Sequence, residues 1–247
     1  MTVTGASTVS REKFNKQQQA DLRQLSPFVH KTAQKAPVAS GGCAGRYSAK
    51  EFAQFMQYFD PPILDKLVLK KANITMVEMI SIEPHESATP LNCLNNVREY
   101  VAINGGQIQL GWIFSIIGNL ALKLTAHAVV KKDDETLLCV TPNEYRNNRL
   151  RFSPDNSIEH LIKNNHLPLK FVPLIENSKL DEYLDIERDI DKLRLDNSGV
   201  VSAIEMQYMN SKASVLYHSI LELAKEHTHK NDYCFCGSNK KRKKCCR

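Results

Sequence analysis

Four of the chain's seven cysteines crowd into its last fourteen residues, as Cys234-Phe235-Cys236 and, nine residues on, Cys245-Cys246. Two closely spaced cysteine pairs offer four thiolates, the number a tetrahedral structural Zn2+ site takes at about 2.3 Å. Gly237 follows the first pair and lets the backbone reverse there. So short and polar a segment has little to bury, so metal ligation would itself supply its folding free energy. Four protein ligands close the shell and leave no position for a catalytic water. The other cysteines, Cys43, Cys93 and Cys139, stand singly. An odd count with one tight cluster reads as a thiolate metal site in a reducing compartment rather than a disulfide framework.

Between the pairs runs Lys240-Lys241-Arg242-Lys243-Lys244. Of the net charge of +6, residues 231–247 carry five units, because six basic residues there face only Asp232. The rest of the chain is close to neutral, so any electrostatic partner is met at this end. One Zn2+ on four thiolates sums to −2, and a loaded tail keeps about +3. Such a tail is a compact basic knob on a tether. It suits nucleic acid, although Tyr233 and Phe235 are the only aromatics there to stack on bases.

The run Cys234, Cys236, Gly237, Ser238, Lys240, Lys241, Lys243, Cys245, Cys246 resembles the SEC-C motif. That motif ends the preprotein translocase ATPases and tails many otherwise unrelated bacterial proteins. The family form usually closes with Cys-His, whereas this chain has Cys-Cys, a change Zn2+ accepts. The resemblance implies a zinc-binding docking module for acidic partners, an export chaperone or the ribosome among them, and a bacterial or phage origin. It says nothing of ATPase chemistry, and no GxxxxGK[ST] phosphate loop occurs in the sequence.

A second constellation lies in the middle of the chain. Cys93 falls in the first turn of an expected helix, where free amides and the dipole favour a thiolate. His127 falls on a later strand, and Cys139-Val-Thr-Pro-Asn143 on the next. Cysteine, then histidine, then an orienting polar residue is the chain order of thiol hydrolases and acyltransferases. The stretch is similar to that of papain-like and transglutaminase-like proteins, and the resemblance implies Cys93 as nucleophile and His127 as base, with Asn143 or Glu144 left to supply the orienter. Cys139 stands where that pattern carries its aspartate. The same residues also read as an inert core, since cysteine is among the most buried residue types.

The elements that must position these groups are those of an α+β fold, a helix followed by an antiparallel sheet. Residues 1–47 read as a flexible segment, and Ser48 with Glu51 as a capping box opening the body, 48–177. Asp60-Pro61 is expected to start the next helix, with Asp60 as its cap. ITMVEMISIEP, QIQLGWIFSII, ALKLTAHAVVKK and ETLLCVT read as strands, and LPLKFVPLI as one that Pro173 sends to a sheet edge. Residues 178–230 read as a helical arm of two segments that either pack on the core or form a hairpin, the second, VVSAIEMQYMNSKASVLYHSILELAKEH, free of Gly and Pro. Residues 231–247 form the metal-binding tail. The longest apolar tract, Trp112 to Leu124, is broken by Ser115, Gly118, Asn119 and Lys123 and falls short of the ~20 residues of a membrane helix. With no secretory signal visible, a cytoplasmic protein is expected.

Overall fold

The computed structural model describes residues 57–142 and 148–246. The expectations for residues 1–47, Ser48, Cys43, Asn143 and Glu144 fall outside them. In chain order the elements are β1 (Tyr58–Phe59), α1 (Lys66–Lys71), β2 (Glu78–Ile82), α2 (Cys93–Asn104), β3 (Gln107–Ile117), β4 (Ala121–Lys131), β5 (Leu137–Cys139) and β6 (Arg149–Pro154). A 3-10 turn at Asn156–Leu161, β7 (Leu169–Pro173), α3 (Ser178–Asp196), α4 (Ala203–Ser214), α5 (Tyr217–Glu226) and a last 3-10 turn at Arg242–Lys244 complete the chain.

One long hairpin organises the fold. β3 and β4 pair antiparallel from Gln107 against Lys131 to Ile117 against Ala121. The turn between them puts Gly118 and Asn119 at φ 57° and 59°, with the Leu120 N–H donating to the Ile117 carbonyl at 2.8 Å. Positive φ at both central residues is the primed turn whose twist matches that of the strands.

Away from this turn the hairpin closes on itself. β3 pairs antiparallel with β6, β6 with β2, β2 parallel with β5, and β5 antiparallel with β4. The five strands make a small closed barrel without a free edge. Its interior draws on every strand, with Ile113, Phe152, Ile80, Cys139 and Val129 in contact. Near the turn the hairpin instead carries β1 on β3 and β7 on β4, and β7, with Pro173 as its last residue, is an edge.

Strand side chains alternate between faces, and the two faces of β4 have different neighbours. Leu122, Leu124, Ala126, Ala128 and Val130 pack with Leu94 and Val97 of α2 and with Trp112 of β3. On the other face, Ala121 joins Ile117, Leu180, Tyr183, Leu184, Ile220, Leu221 and Ala224 in a core shared with α3 and α5. Of the two placements open to these helices, α3 and α5 take the one on the core, because their apolar stripes and this sheet face cover one another.

Two local expectations are corrected. Asp60 caps no helix: its carboxylate pairs with Arg151 at 3.4 Å, and α1 begins later, where Asp65 accepts from the Val68 N–H at 2.8 Å. The second helical segment breaks at Val215–Leu216 into α4 and α5. There the Ser211 and Ser214 hydroxyls bond back to the carbonyls of Tyr208 and Ser211, both at 2.7 Å, a pattern that bends helices.

Candidate metal centre

The tail is built onto the end of α5. The last carbonyls of a helix lack intrahelical donors, and here the Arg242 guanidinium supplies them, donating to the carbonyls of Lys225 and Thr228. The chain then runs back alongside itself. Arg242 N–H donates to the Asp232 carbonyl at 2.9 Å, Lys243 N–H to Lys230 at 3.1 Å, and Cys234 N–H to Lys240 at 2.8 Å. The Cys236 end turns at Gly237, whose φ of 75° favours glycine and whose N–H reaches the Cys234 carbonyl at 3.2 Å.

This folding brings the sulfurs of Cys234, Cys236, Cys245 and Cys246 within 4.8 Å of one another. Cys236 and Cys245 lie 3.5 Å apart, and Cys245 and Cys246 3.8 Å. Tetrahedral bonds of about 2.3 Å place ligand sulfurs about 3.8 Å apart, so the cluster fits one ion. The Ser238 hydroxyl sits 3.1 Å from the Cys245 sulfur and orients it. Burial raises the Cys236 thiol, but hydrogen bonds from the Ser238 side chain and backbone, with Cys245 and Cys234, bring it down to about 7. Burial holds the Cys234 and Cys246 thiols above their ordinary range. Loading must displace those protons, so affinity falls as pH falls.

The centre is seated in the body instead of hanging from a tether. Cys234 and Phe235 are buried in the core that holds Leu221 and Ala224. Gly237 lies so close under Phe59 of β1 that a Cβ would stand 2.7 Å from the ring. The Asn119 amide, on the β3–β4 turn, donates to Thr228 Oγ1 at 3.0 Å and to the Tyr233 carbonyl at 3.1 Å. Sequence reasoning missed Phe59 and Asn119, which stand more than a hundred residues from the cysteines. For Asn119 the signal was a Gly-Asn pair between two strands; for Phe59 there was none.

Of the basic run, Lys240, Lys241, Lys243 and Lys244 are exposed, while Arg242 is half-buried in its helix cap. Exposed Lys230 joins the four lysines through its carbonyl bond to Lys243.

Cys93 and His127 are not brought together. Cys93 opens α2 as expected, but packs on the face of β4 that carries Ala126 and Ala128. By alternation His127 points to the opposite face, and there its Nε2 lies 3.2 Å from the Cys139 sulfur. Burial outweighs the amide contacts of Ala128 and Leu94 and raises the Cys93 thiol, the reverse of the activation expected at a helix start. It also pushes His127 down to about 4 and Cys139 up to about 11. All three groups are therefore neutral near pH 7, a different state from the thiolate–imidazolium pair that nucleophilic catalysis uses.

No protein family, no curated protein and no solved structure matches this chain. Fold and site define an α+β protein with a small closed barrel and a carboxyl-terminal four-cysteine cluster capable of ligating a metal ion. Among the described residues no helix is long and apolar enough to cross a membrane.

Proposed function

We propose that the chain is a zinc-dependent docking protein, in which one structural Zn2+ on Cys234, Cys236, Cys245 and Cys246 shapes a lysine face for an acidic protein or ribosomal surface. The observation that carries this reading is the division of the basic run. The turns that gather the four sulfurs fold Arg242 inward and leave Lys240, Lys241, Lys243 and Lys244 outward. Soft thiolates in a tetrahedral set favour zinc, and a closed shell makes it structural. The likeness to the SEC-C motif agrees on both points. Compact ammonium charges without a bidentate arginine suit broad anionic surfaces and long-range steering.

The test has two parts. Protein purified under reducing conditions should hold about one zinc per chain by elemental analysis, and the Cys245→Ser/Cys246→Ser variant less than about half of that. A Lys→Gln change at Lys240, Lys241, Lys243 and Lys244 together should retain zinc. It should bind purified ribosomes or a polyglutamate peptide at least about tenfold more weakly, with the parent's binding falling as salt rises. Equal binding by parent and variant refutes the docking role. Binding confined to free single-stranded RNA replaces it with nucleic-acid binding.

A further inference from the structure

Helix α4 buries Met206 and Ala213, and its opposite side is exposed among the described residues. There Ile204, Tyr208 and Val215 are 81%, 59% and 76% exposed. With Ser211 they recur at i, i+4, i+7 and i+11, one stripe at 3.6 residues per turn, and Val215 keeps helical backbone as the C-cap. The serines do not wet this stripe: Ser211 and Ser214 spend their hydroxyl protons on carbonyls of their own helix. Three large apolar side chains aligned on one exposed helix face form the kind of patch at which chains associate.

We infer that this stripe pairs with the same stripe of a second copy, antiparallel, about a two-fold axis between Met209 and Asn210. Shape favours this occupant. Read in either direction the stripe runs aliphatic, then middle pair, then aliphatic, so Ile204 meets the partner's Val215, and the large Tyr208 meets the small Ser211 of the partner subunit. Charge favours it independently. At 100° per residue Glu205 and Lys212 lie on the same flank of the stripe, and a two-fold axis brings like flanks together. Glu205 then stands opposite the partner's Lys212, and the pair occurs twice. The Glu205 carboxylate is held in place by Ser202, whose N–H and hydroxyl both bond to Oε2, at 3.0 and 2.6 Å, leaving Oε1 for the partner. Lys212 Nζ already lies over the Tyr208 ring, 5.6 Å from its centroid. A parallel pairing loses both matches, since it sets Tyr208 on Tyr208 and carries Glu205 away from Lys212.

One helix pair buries less than the ~800 Å2 per partner of a standard interface, so the dimer is weak and concentration-dependent. Sedimentation equilibrium of the full-length, metal-loaded protein from about 5 to about 500 µM covers that affinity range. The parent should pass from monomer to dimer. Ile204→Glu and Val215→Glu, both at exposed positions, should each weaken dimerisation at least tenfold while circular dichroism stays unchanged. Lys212→Glu should weaken it about threefold at low salt and less at high salt, as an exposed pair does. Should one glutamate variant lose helix, the other carries the comparison. A parent that remains monomeric throughout overturns the inference. So does a dimer that tolerates both glutamate variants.

Discussion

His127 is a histidine that the barrel keeps uncharged. It is buried, its Nε2 contact is the Cys139 sulfur at 3.2 Å, and burial pushes its pKa down to about 4. An unfolded chain binds that proton near pH 6.5. Between those values the unfolded state holds more protons than the folded one, so the stability tied to neutral His127 is fully present above about pH 6.5 and is lost as pH falls towards 4. The shift corresponds to a loss on the order of 3 kcal/mol. His127→Gln, which keeps a polar group beside Cys139 but cannot titrate, should be less stable than the parent at pH 7.5 and should close the gap by pH 4.5. Urea midpoints of both proteins with excess zinc give the comparison. Zinc loss and the raised Glu187 act on both alike and drop out of the difference. Parallel midpoint curves would show that His127 carries no such burden.

At the scale of elements, the closure of the sheet rests on Gly111. A Cβ there would fall within 3 Å of the Ser153 carbonyl oxygen and of the Phe152 ring, one being backbone and the other packed inside the barrel. Neither yields cheaply, so Gly111→Ala should cost about 3 kcal/mol and lower the melting temperature by roughly 6–12 °C. Gly105→Ala isolates the backbone effect: a Cβ there meets nothing within 4 Å, but φ 79° and ψ −171° form a region essentially reserved for glycine, about 1–3 kcal/mol. A Gly111→Ala protein with an unchanged melting temperature would show that the barrel admits the methyl without cost. The same hairpin shows what could be read in advance. QIQLGWIFSII has eleven residues and ALKLTAHAVVKK twelve, and the structure gives each a strand of eleven. The barrel could not be read, because β6 begins Arg149-Leu-Arg151 and the β2–β5 pairing is parallel and only two residues long. The break between α4 and α5 escaped notice because neither Gly nor Pro marks it. For the cysteines, spacing alone picked out the four that the fold gathers into one cluster. For Cys93 and His127 chain order is silent about which face of a strand a side chain takes.

For the whole molecule the question is whether the metal holds the tail alone or the body with it. Phe235 and Cys234 sit in the same core as Leu180, Tyr183 and Ile220. Arg242 caps the helix that supplies Leu221 and Ala224, and Asn119 ties the tail to the turn of the central hairpin. Without an ion, only weak contacts between the sulfurs hold the four cysteines within 4.8 Å of one another. The knuckle then opens, Phe235 leaves the core and α5 loses its cap, so the ion's binding free energy is felt by the folded body. Excess chelator should therefore lower the midpoint of the main thermal transition on the order of 10 °C, and Cys245→Ser/Cys246→Ser should reproduce that midpoint without chelator. Near-ultraviolet circular dichroism should change in step, since Phe235, Phe59 and Tyr217 all border the centre or its core. A tail that merely hangs from the body predicts the opposite, an unmoved midpoint with zinc released. Scanning calorimetry of the loaded, chelated and double-serine proteins separates the two, because only a shared core makes metal loss and body unfolding a single event.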